Sequence, residues 1–202
     1  MPALKPVALA KLFVGLYIFG WGVALMVHSA IGLGPWDIFA QGVSKVMHTS
    51  YGLASIVVSA IVLICWIPLK QRPAFGTLMN AVLIGLFADT VFPILPVLTD
   101  YWQQLLMFVL GMLLLALATG LYISANYGMG PRDGLMVGTA RVTGWAIWKV
   151  RMGYEFLVMV TGWLMGGQVR EGTLIFAVCI GFLMQWSLKL FKVKAHRPVE
   201  EA

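Results

Sequence analysis

The chain has 202 residues, 60% hydrophobic and 11% charged, with a mean hydropathy of +0.89. Soluble domains carry roughly 25% charged residues, so this composition excludes an ordinary soluble protein and places the chain in lipid. The net charge of +6 comes from 14 Lys and Arg against 8 Asp and Glu. The basic residues lie between apolar runs and in the tail, so anionic lipid and not nucleic acid is the expected electrostatic partner.

In chain order, apolar runs long enough to cross about 30 Å of hydrocarbon fall at residues 10–28, 52–69, 75–97, 104–124, 152–168 and 172–190. The fifth is short and interrupted by Glu155. The first run, with Lys5 and Lys11 near its start, has the look of a signal peptide. His28 fits a small-residue cleavage site poorly, however, and a run of the same kind recurs in mid-chain. Two shorter stretches, GLGPWDIFAQGVS and GMGPRDGLMVGTA, follow the first and fourth runs. Each opens with a Gly/Pro turn and continues as a helix too short to cross.

Sliding the sequence by 96 residues superimposes these features without a gap. Gly15 falls on Gly111, Gly32 on Gly128, Gly34-Pro35 on Gly130-Pro131, Asp37 on Asp133 and Gly42 on Gly138. Further on, Gly76-Thr77-Leu78 falls on Gly172-Thr173-Leu174, and Ile84-Gly85 on Ile180-Gly181. Matching Gly, Pro and Asp in one register predicts an internal duplication, with repeats at about 10–97 and 104–191 and a basic cytoplasmic tail at 192–202.

Basic residues are held on the cytoplasmic side of short loops. With the N-terminus inside and the two short helices re-entrant, 12 of the 14 are cytoplasmic or near that face and only Lys45 and Arg170 lie outside. The fold expected is an all-α, multi-pass membrane protein of two inverted repeats, each with three spans and a re-entrant half-helix. Both termini are then cytoplasmic. The alternative lets each short helix cross, giving eight spans and parallel repeats, but it puts Lys70, Arg72, Arg132 and Arg170 outside.

The paired turns are the main candidate for chemistry. Gly32, Gly34, Gly128 and Gly130 permit positive φ or close approach, and Pro35 and Pro131 suit a first helical turn. Asp37 and Asp133 then fall in that first turn, where a carboxylate can cap the helix. Irregular backbone at membrane depth survives only when buried in protein or lining a cavity, and paired half-helix tips commonly build a transporter's midplane site. A carboxylate at such a tip favours a cation, an amine-bearing solute or a proton over a simple anion. Arg132, opposite Trp36 in the alignment, adds a positive charge to one tip, which suits a zwitterion and predicts that Asp133 is partly neutralised and Asp37 the more sensitive. Asp89, Arg151 and Glu155 are further candidates within spans. Arg151 and Glu155 align with Ser55 and Ser59, a polar stripe facing inward or an intrahelical ion pair. His28 and His48 read as solvated end residues.

The doubled GxGPxD turn, with GTLMNAVLIGLFAD repeated as GTLIFAVCIGF, resembles the YczE/YyaS/YitT group of bacterial integral membrane proteins, closest to its YczE-like members, from about residue 10 to 190. The resemblance implies a multi-pass protein of the bacterial cytoplasmic membrane and brings no catalytic motif, cofactor or substrate with it. C-x-x-C, H-E-x-x-H, P-loop and G-x-S-x-G motifs are absent, so neither catalysis nor a metal is expected. The function expected is secondary transport or export of a small polar, cationic or zwitterionic solute, with a proton as the other candidate. The alternative is a non-transporting accessory or scaffold protein supporting a partner complex, and a homodimer is admitted by either.

Overall fold

The computed structural model describes residues 5–193, so most of the expected tail, 194–202, lies outside the described residues. Eight α-helices follow in order: α1 (Pro6–Ser29), α2 (Pro35–Met47), α3 (Tyr51–Cys65), α4 (Phe75–Val91, extended by a 3-10 turn), α5 (Tyr101–Ile123), α6 (Pro131–Thr143), α7 (Ile147–Leu164) and α8 (Glu171–Leu190). No β-strand occurs among the described residues.

Local chemistry sets the boundaries. Pro35 and Pro131 occupy the first turns of the two short helices. Ser50 caps α3 by accepting from the Leu53 N–H, and Asp100 caps α5 by accepting from Gln103. Gly32 and Gly128 hold φ of +143° and +116°, where an L side chain is strained, whereas Gly34 (φ −68°) and Gly130 (φ −62°) have ordinary extended backbone. Only the first glycine of each turn is therefore required for its dihedral. At Gly34 the second leaves space for the Phe176 ring, which a Cβ would meet at 2.7 Å and which would then have to shift.

By length and composition, α1, α4 with its 3-10 turn, α5 and α8 can each cross a membrane. The chain of α2 and α3, which meet at 112°, makes a fifth candidate. Two of the six expected spans thus do not qualify alone. Helix α3 has 15 residues, about 22 Å at 1.5 Å per residue. Helix α7 carries Lys149, Arg151 and Glu155.

Helices α1 and α5 form the centre. Gly15 lies against the backbone of Tyr122 and Gly22 against that of Gly111 and Leu115, so the two helices cross antiparallel. Helix α4 packs on α1, and α8 on α5. A second apolar cluster joins α2, α3, α6 and α7 through Trp36, Val58, Trp66, Met136 and Val158.

The irregular turns are tied to the opposite half of the chain. Gly172 N donates to Ile31 O at 3.1 Å, and Gly76 N donates to Tyr127 O at 2.8 Å. Leu33 N donates to Thr173 Oγ1, while Thr77 Oγ1 donates to Met129 O. Each turn's backbone, which its own helix cannot satisfy, is satisfied by the Gly-Thr pair opening α4 or α8. Side chains add further ties: Lys45 Nζ donates to Gly166 O, Arg170 to Ala30 O, and Arg141 to Leu69 O.

Candidate functional site

A cavity of about 130 Å³ lies between the two apolar clusters, where the tips of α2 and α6 meet. Gly34, Pro35, Trp36 and Asp37 line it from one tip, and Gly130, Pro131, Arg132 and Asp133 from the other. Helix α3 contributes Ser55 and Ser59, and α7 contributes Arg151 and Glu155 at the aligned positions. Asn80 and Ile84 of α4 face Phe176 and Ile180 of α8, again aligned, and Phe19, Leu115 and Tyr122 of the central helices complete most of the wall.

Neither aspartate caps its helix: no side-chain cap hydrogen bond is made at Gly34 or Gly130. Asp37, 5% exposed, turns away to accept from Tyr51 Oη at 3.1 Å and from the Arg132 guanidinium at 3.2 and 3.3 Å. Arg132 thus neutralises the aspartate of the other turn, not its neighbour Asp133 as the sequence suggests. Its guanidinium also lies 5.4 Å from the centre of the Trp36 ring, a cation–π contact that fixes its course.

Asp133 is left with no ion-pair or hydrogen-bond partner among the described residues. It is exposed and lines the cavity. Arg151 donates to Glu155 at 2.7 Å one turn away on α7. The lining therefore holds three carboxylates and two guanidiniums, with both guanidiniums already paired. The Trp36 indole N–H, buried and without an acceptor, adds an unused donor in the same wall.

Asp89 does not join the site. Its carboxylate accepts from Ser50 Oγ and, at 2.8 Å, from Gly52 N, so it caps α3 from α4. His28 is bonded to Pro96 O at 3.0 Å, and His48 ends α2. Among the described residues no group of three His, Cys, Asp or Glu could hold a metal ion. Cys65 and Cys179 are both free.

Sequence reasoning missed Tyr51, Asn80 and Tyr122. Asn80 was signalled by a polar side chain inside an apolar run. Tyr51 gave no signal, because its role depends on the 112° fold-back of α3 against α2.

Residues 8–189 match the model of a family of unknown function, DUF6198. The chain is 36% identical over 190 residues to an uncharacterized protein of Haemophilus influenzae, covering 94% of this chain and 87% of that one. It is 37% identical over 179 residues to the uncharacterized membrane protein YczE of Bacillus subtilis, covering 87% and 83%. Identity to YyaS of the same organism is 26% over 175 residues, covering 85% and 87%. No solved structure matches the chain.

Proposed function

The chain belongs to the DUF6198 family and is a multi-pass integral membrane protein, and from that premise we propose that it is a secondary transporter of a small cationic or zwitterionic solute. The observation that carries this reading is Asp133, an unpaired carboxylate in a cavity between two broken-helix tips. Bare helix N-termini attract anions. Here three carboxylates against two guanidiniums reverse that preference, and an ammonium group is the complement.

The proposed topology is six crossings with α2 and α6 re-entrant in inverted halves, in the bacterial cytoplasmic membrane with both termini inside. Several contacts support it. Lys45, near the end of α2, bonds Gly166 just after α7, and Arg170 bonds Ala30 just after α1. Arg141, near the end of α6, bonds Leu69 just after α3. A crossing α2 would carry Lys45 a membrane's width from Ala30. The antiparallel course of α1 and α5 favours inversion, since parallel repeats would run their aligned helices in the same direction.

The test uses purified protein in liposomes containing a pH-sensitive dye, with choline and glycine betaine as probes. Probe-dependent flux is expected in wild type and absent in Asp133→Asn at unchanged thermal stability. Absence of flux with every probe, together with full stability of Asp133→Asn, would overturn transport in favour of the accessory role.

A further inference from the structure

The aligned seams of the two halves differ. Helices α3 and α4 are closed on one another, Gly52 and Gly85 each lying against the other's carbonyl, with Asp89 bonded to the start of α3. At the aligned positions the second half has Trp148 for Gly52, Gln185 for Asp89 and Ala146 for Ser50, so neither the close approach nor the cap can form. Helices α7 and α8 hardly touch, and a Cβ added at Gly181, the position aligned with Gly85, would meet nothing within 4 Å. Yet both helices line the cavity, α7 with Arg151 and Glu155 and α8 with Phe176, Ile180 and Met184.

The two helices that flank the gap carry exposed apolar side chains, Met152 and Phe156 on α7 and Phe182 and Trp186 on α8. Such a rim faces acyl chains, not water. The cavity itself, at about 130 Å³, is below the roughly 300–1,000 Å³ of sites that enclose a drug-sized ligand. It has room for a head group and none for a chain.

We propose that the cavity is filled sideways from the bilayer through the gap between α7 and α8, by an amphiphile that carries a cationic head on an alkyl tail. Asp133 takes the head, the excess carboxylate of the lining sets its sign, and the tail lies along Phe182 and Met152. This rests on the cavity being a binding site, as proposed above.

The test places a benzophenone amino acid at position 182, or at position 86 on the closed seam, in protein reconstituted in phosphatidylcholine vesicles. The probe is dodecyltrimethylammonium. Both positions carry exposed apolar residues, Phe182 and Leu86, so nonspecific labelling by partitioned probe is common to both. Saturable labelling is expected at 182 and not at 86. It should fall about tenfold in Asp133→Asn, the factor equal to 1.4 kcal/mol of lost interaction. Equal labelling at 182 and 86, or labelling at 182 indifferent to Asp133→Asn, overturns the proposal. Tetramethylammonium binding, measured on the same vesicles, separates the two ideas. Binding of it without labelling at 182 leaves the cation site standing and removes the lateral route; absence of both removes the two together.

Discussion

Arg132 and Asp37 form an ion pair between the two broken turns, both terminal guanidinium nitrogens reaching one carboxylate oxygen at 3.2 and 3.3 Å. The pair joins residues 95 positions apart and is partly sealed, with side-chain exposures of 28% and 7%. Removing Arg132 leaves Asp37 buried with Tyr51 as its remaining donor. Arg132→Ala should cost about 2 kcal/mol, less than the roughly 3–5 kcal/mol of a fully buried pair because Arg132 keeps some solvent. Thermal unfolding in detergent checks this; an unchanged midpoint would show the pair to be idle.

The two aspartates should separate stability from binding. Asp37→Asn breaks the ion pair and should lower the unfolding midpoint. Asp133→Asn removes a carboxylate with no partner, so stability should stay within about 0.5 kcal/mol while choline binding is lost. This reverses the order of sensitivity read from the sequence. Loss of binding in Asp37→Asn alone would restore it.

Asp89 should behave as a cap. Asp89→Ala should cost about 1–2 kcal/mol and Asp89→Asn less, since Asn still offers an acceptor to Gly52 N. Choline affinity, measured by calorimetry on the folded protein, should be the same in both. An affinity change at full stability would bring Asp89 into the site.

Two glycines in aligned seams should respond oppositely to alanine. Gly52→Ala forces apart α3 and α4 and should cost about 1–3 kcal/mol, the usual range for overpacking. Gly181 is helical and faces open space, so Gly181→Ala should stabilise by about 0.5–1 kcal/mol through backbone entropy alone. Equal effects at the two positions would mean that the seams are equally tight.

Sidedness can be read with single cysteines after Cys65 and Cys179 are replaced. Lys70→Cys should label from the cytoplasm and Asp100→Cys from outside. Labelling of both from the same side would contradict the proposed topology.

Much of the helical architecture is legible because lipid imposes long apolar runs, and the broken turns because Gly and Pro at 32–35 and 128–131 admit few conformations. What hid is what depends on approach between halves. Nothing local says that Arg132 passes Asp133 for Asp37, or that Thr77 and Thr173 serve the turns of the other half. The span count was blurred for a related reason: α3 and α7 are supported by packing against other helices, so their own sequences need not be long or purely apolar. Asp89 looked like an isolated charge in a span because the helix start it caps lies 37 residues earlier.

The crossed ties set an order on biosynthesis. Leu33 N waits for a hydroxyl 140 residues downstream, and Ile31 O for the amide of Gly172. At about 5–20 residues per second, the first turn stays open for roughly 7–28 seconds after it leaves the ribosome. During that interval its polar backbone is held by water, the translocon or a chaperone, and the N-terminal half has no finished state of its own. A stop or frameshift shortly before Gly172 therefore leaves both halves incomplete, which makes the start of α8 the checkpoint at which quality control can tell a tied pair of halves from an untied one.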